Sequence, residues 1–196
     1  MRESFRFAVL GDSHFVSAKY HTENGRGDDY RRYLWMTENV WPRVLAEIRA
    51  EAPAFLVQLG DLTEGPHDVS LQTAVMHEAV ALLEEGCGCP AWFTRGDQER
   101  EAAFKEIVVP ALRQRLLAIA GGKGRPLTTP YYAFSHGGAR FIIADSMNLR
   151  PGAPQVAWLE SELKWGLSTR STRFCLLMRR CSLSAGRFTV TNPCST

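Results

Sequence analysis

Long apolar runs are missing from this chain. Nothing in its 196 residues approaches the ~20 consecutive apolar positions that cross a bilayer. The opening MRESFRF has no apolar h-region, so neither a membrane span nor a signal peptide is expected. Cysteine is scarce and odd in number, five residues scattered at Cys87, Cys89, Cys175, Cys181 and Cys194. That argues against a disulfide framework and for a reducing, cytoplasmic setting. Cys87 and Cys89 lack further ligands at zinc spacing and read as incidental thiols. Net charge is small, +2, but acids stop at Glu162. Residues 163–196 carry six basic side chains and no acidic one, leaving 17 basic and 21 acidic groups in 1–162. A basic end on an acidic body suits an anionic surface or a plain irregular tail. Its arginines lack the interleaved aromatics of a base-stacking surface, so nucleic acid is not expected as a partner.

What is present is an ordinary globular composition, 45% hydrophobic and 22% charged, sized for one domain with a real core. Short apolar runs each end in a Gly-bearing polar turn. Residues 5–10 run into Gly11, Asp12 and His14; Ala54–Leu59 runs into Gly60–Asp61; Pro90–Thr94 runs into Gly96, Asp97, Gln98 and Glu99. Between them the apolar spacing turns helical, over Tyr33–Ala52 with a start near Pro42, and over Ser70–Glu85 with Gly86 as the left-handed C′ residue. Val16–Arg32 reads as an ordered loop or a short helix, and Glu101–Ala120 as helix divided by Pro110. A hairpin over Tyr131–Ala144, a helix within Gly152–Gly166 and a strand at Phe174–Met178 follow, with Gly121–Pro126 a plain linker. His21, Asp28, Asp29 and His67 read as solvated, His77 as surface or satisfied core, and Asp145 as a brace of the fold.

Alternating strands and helices imply parallel strands whose carboxyl ends share one edge. Asp12, Asp61 and Asp97 then converge, and converging carboxylates repel unless a cation or a proton lies between them. With His14 they form a set of oxygen and nitrogen donors suited to Zn, Mn or Fe.

The blocks GDSH (Gly11–His14), QLGDLTEG (Gln58–Gly65) and a degenerate Gly96–Glu99, followed by YYAFSHGGARFIIADS and GAPQVAWLESEL, resemble the calcineurin-like metallophosphoesterases over roughly residues 5–178. The resemblance implies a four-layer α/β/β/α sandwich and two divalent ions, Mn, Fe or Zn, about 3.5–4 Å apart. It places Asp12 and His14 on the first metal, Asp61 on both and Asp97 on the second. It implies phosphatase or phosphodiesterase chemistry by a metal-activated hydroxide on a small-molecule or macromolecular phosphoester. Two departures matter. Gln98 stands where the family has its catalytic His, and an amide cannot shuttle a proton. Arg179 and Arg180 stand where a further His ligand is expected, and no histidine follows His136. The expectation is therefore an incomplete domain over 1–178 with a basic, irregular tail at 179–196, from truncation or a frame shift. Its second metal site is weak and its activity weak or lost. The alternative is a pseudo-enzyme serving as a binding or regulatory domain, in which Arg179 or Arg180 replaces a metal's charge.

Overall fold

The computed structural model describes residues 4–20, 27–64, 68–119, 127–169 and 172–177. The first sheet is parallel and ordered β1 (Ala8–Leu10), β2 (Leu56–Gln58), β3 (Ala91–Phe93), with Val9 opposite Val57 and Val57 opposite Trp92. Strands covered on both faces are mostly apolar; β2 and β3 are buried throughout, and Gln58 at the end of β2 is their one polar residue. One layer of helices covers this sheet: α1 (Gly27–Asn39), α2 (Trp41–Ala50), α3 (Val69–Cys87) and α4 (Glu101–Ile119). Trp41, Leu45, Val75, Met76, Ala79, Leu83, Phe104, Val108 and Leu112 supply its core face.

The second sheet pairs β4 (Tyr132–His136) antiparallel to β5 (Ala139–Ala144), and β5 parallel to β6 (Thr172–Leu177). The crossover between β5 and β6 is α5 (Pro154–Thr169), tied to β5 by Arg140–Glu162 at 2.8 Å. Aromatic rings fill the space between the sheets. Phe55 meets Phe134 and Phe141 edge-on at 5.4 and 5.0 Å, and Trp92 stacks on Phe134 at 3.9 Å. The order of layers is helices, sheet, sheet, helix: the expected four-layer sandwich.

Several element boundaries differ from those the sequence suggests. The polar stretch before Tyr33 holds a short 3-10 turn (Ala18–Tyr20) and the first turns of α1, because Tyr30 buries and its hydroxyl donates to the Ser17 carbonyl at 2.8 Å. Pro42 opens α2, where a missing N–H costs nothing. Pro110 does not divide α4; it lies on the exposed face while Val108, Val109 and Leu112 hold the helix to the core. The left-handed cap of α3 is Gly88 (φ 66°), not Gly86. Gly86 lies inside the helix, where a Cβ would come within 2.5 Å of Leu45 Cδ1, so its smallness sets the approach of α2 to α3. Among the described residues no helix is long and apolar enough to cross a membrane.

Candidate metal centre

The carboxyl ends of β1, β2 and β3 open onto three turns whose backbones are laced together. Asp12 N–H donates to the Gly60 carbonyl at 3.2 Å, His14 N–H to Asp61 at 2.9 Å, and Phe15 N–H to Leu62 at 2.7 Å. Gln58, fully buried at the end of β2, adds its amide: it donates to Ser13 Oγ (3.1 Å) and the Gly60 carbonyl (2.8 Å) and accepts from Gly60 N–H. Asp12, His14 and Asp61 all carry positive φ, 51°, 43° and 50°. Such a conformation costs a non-glycine residue about 1–3 kcal/mol and persists where the surroundings enforce it, typically at functional sites.

This strain brings side chains together. Asp12, His14 and Asp61 each offer a ligand atom within 4.8 Å of the others, and Asp97 is near enough for its charge to act on Asp61. Asp61 is 4% exposed. Burial, then the charge of Asp97, pushes its carboxyl up to about 6 against the opposing Gln98 N–H bond at 3.0 Å. His14 Nδ1 lies 2.8 Å from Glu64 Oε2, and its ring stacks on Tyr33 at 4.9 Å. The Glu64 bond raises the His14 pKa above its ordinary value despite partial burial, with Glu64, Asp61 and Asp12 charges adding to it. Nδ1 being engaged, Nε2 is the ring atom left for a ligand. Arg32 lies over the far ring of this stack, its guanidinium carbon 4.9 Å from the Tyr33 centroid.

Besides Gln58 and Glu64, two further residues hold the site without a role assigned to them from the sequence. Glu99, 3% exposed, accepts from Asp61 N–H (3.0 Å), Thr63 N–H (3.1 Å) and Gly96 N–H (2.7 Å), clamping the second turn to the third. Burial and the Asp61 charge push Glu99 up to about 7, against those three donors. Gln72 on α3 holds the third turn from the other side, donating to the Gln98 carbonyl at 2.7 Å and accepting from Arg100 N–H at 2.8 Å. Asp145 is the brace expected: fully buried, it takes two bonds from Arg95 (3.0 and 3.3 Å) and joins the end of β5 to the turn after β3. His77 is exposed, and His136 packs against Phe5 and Phe55, far along the strands from the turns. Cys87 and Cys89 are free thiols 3.6 Å apart at the end of α3. His21, His67, Gly121–Pro126, Met178, Arg179, Arg180 and the rest of 179–196 lie outside the described residues, as do the side chains of Asp28 and Asp29.

Two paired sheets between layers of helices make a fold that a solved phosphatase shares. A dimetal phosphatase from Danio rerio superposes with a TM-score of 0.61 at 13% identity, over 88% of this chain and 69% of that one. A purple acid phosphatase from yellow lupin (Lupinus luteus) seeds aligns with a TM-score of 0.49 at 14% identity, over 84% of this chain and 28% of that one. No protein-family model and no curated protein matches the chain.

Proposed function

We propose that this chain is a metal-dependent phosphoester hydrolase, with one divalent cation held by Asp12, His14 and Asp61 and a second position reached by Asp61 and Asp97. The observation that carries the reading is the meeting of three donor atoms within 4.8 Å, from three residues that all hold positive φ. Two carboxylate oxygens and an imidazole nitrogen fit Mn, Fe or Zn. When bound, such an ion polarises a phosphoryl oxygen and yields a nucleophile from water at neutral pH. The chain's own residues do the rest. Glu64 fixes the His14 tautomer, the Gln98 N–H holds one Asp61 oxygen, and Glu99 keeps the Asp61 and Gly96 turns in register. Gln98 has no proton to give a departing oxygen, and only Asp61 and Asp97 serve the second position among the described residues; both features argue for weak turnover.

The test is hydrolysis of p-nitrophenyl phosphate and bis-p-nitrophenyl phosphate with Mn added, in the wild type and in Asp61→Asn. Metal-dependent turnover lost in Asp61→Asn supports the reading; no turnover with any divalent ion refutes catalysis. The same short second site favours a second reading, a non-catalytic domain that keeps the fold. Tight metal binding without hydrolysis of either ester distinguishes it.

A further inference from the structure

Beside the cluster lies a cavity of 120 Å³. Leu10, Met36, Val40, Trp41 and Val44 wall it, and Asp12 of the cluster is part of the same wall. Trp41 is held in place, its indole N–H donating to the Ser13 carbonyl at 3.1 Å and its ring lying 5.1 Å from Phe15. Apart from Asp12 no charged side chain lines it, and the other polar side chain there, Ser13, already accepts from Gln58, so a second phosphate or a charged peptide would lose its hydration there without repayment. The volume is near that of an engineered apolar cavity of ~150 Å³ that takes one benzene ring. A larger groove of 510 Å³ lies across Trp41 and Leu45, but none of the cluster residues lines it.

The geometry points to this slot as the seat of the ester's own organic group, making the substrate class a phosphoester of a single aromatic ring. The inference rests on the phosphoester reading and narrows it. The chemistry of the third turn agrees. In hydrolysis the water oxygen bonds to phosphorus and releases a proton to solvent, the phosphorus–oxygen bond to the organic group breaks, and its electron pair stays on the departing oxygen. That oxygen takes its proton from solvent, because Gln98 beside Asp61 is an amide. An aryl oxide is weakly basic enough to leave without prior protonation, whereas an alkoxide is not.

Binding of non-hydrolysable phosphonates to the Mn-loaded protein, measured by calorimetry, tests this apart from turnover. Phenylphosphonate is expected to bind about tenfold or more tightly than methylphosphonate. Val44→Phe and, independently, Val40→Phe fill the slot from half-exposed positions, so the fold is expected to persist. Each should erase the phenyl preference while Mn and methylphosphonate affinities stay. Equal affinity for the two phosphonates, or a preference untouched by both variants, overturns the inference and leaves the phosphoester reading standing. If Mn binds and neither phosphonate does, both fall.

Discussion

Glu64 offers the sharpest test of how the centre is held. Its carboxylate lies 2.8 Å from His14 Nδ1, and the two side chains are only 13% and 18% exposed, so solvent screens the bond little. A carboxylate behind a ligating imidazole fixes the tautomer and raises ligand basicity; losing it usually costs about 10–100-fold in metal affinity, or roughly 1.4–2.7 kcal/mol. Glu64→Ala removes acceptor and charge from a poorly screened place and belongs near the upper figure. Glu64→Gln keeps an acceptor oxygen in the same position, while Tyr33 still stacks on the ring, so it belongs at about tenfold or less. Calorimetric titration of Mn into the wild type and both variants, with melting temperatures as a fold control, gives the series. The expected order is wild type, then Gln, then Ala. An Ala variant within about twofold of wild type would refute the claim that Glu64 orients His14 for a metal.

Three further outcomes follow from the same geometry. In the metal-free protein, burial raises Asp61 to about 6 and Glu99 to about 7, and His14 is raised as well. Groups with raised folded-state values hold protons more tightly when folded, so stability is full at low pH and falls as pH rises through 6 and 7. Melting temperature should drop between roughly pH 4 and pH 7 and recover on adding Mn at the higher pH; a flat or rising profile contradicts the burial of both carboxyls. Arg95→Leu removes the charge partner of Asp145, whose side chain is 0% exposed and keeps the Asn148 amide and the Met147 N–H as donors, and should cost about 3–5 kcal/mol. In melting curves that is a fall of roughly 6–20 °C, partly restored by adding Asp145→Leu. Gln98→His puts a titratable ring on the third turn and should raise kcat on alkyl phosphates by about 100-fold, far more than on aryl phosphates; equal gains on both would show that departure of the organic group is not what limits turnover.

The sequence made the chemistry-bearing turns legible because each follows the same local grammar, a short buried strand closed by glycine and an acid. Asp12, Asp61 and Asp97 could be placed on one edge from strand order alone, and the structure brings Asp12, His14 and Asp61 together with Asp97 alongside. What stayed hidden depends on pairings between turns. Glu64 stands three residues after Asp61 in a polar loop, and only the bridge between Phe15 and Thr63 carries it to His14. Glu99 read as the last residue of a polar turn, although a carboxylate just ahead of a helix often caps backbone N–H groups; here it reaches back to Asp61, Thr63 and Gly96 instead. Gln58 and Gln72 sat inside apolar patterns, where a buried amide is a sign of backbone to be satisfied. The start of α1 was masked by its Gly-Asp-Asp opening, and Pro110 misled because its exposed position carries no packing penalty.

The most direct measurement is a crystal of the Mn-soaked protein, with diffraction recorded at the manganese absorption edge. The expected result is an anomalous peak bonded to Asp12, His14 Nε2 and Asp61, absent from Asp61→Asn crystals treated alike. A map with no peak among those three side chains at saturating Mn would contradict the claim that their strained turns exist to hold a cation.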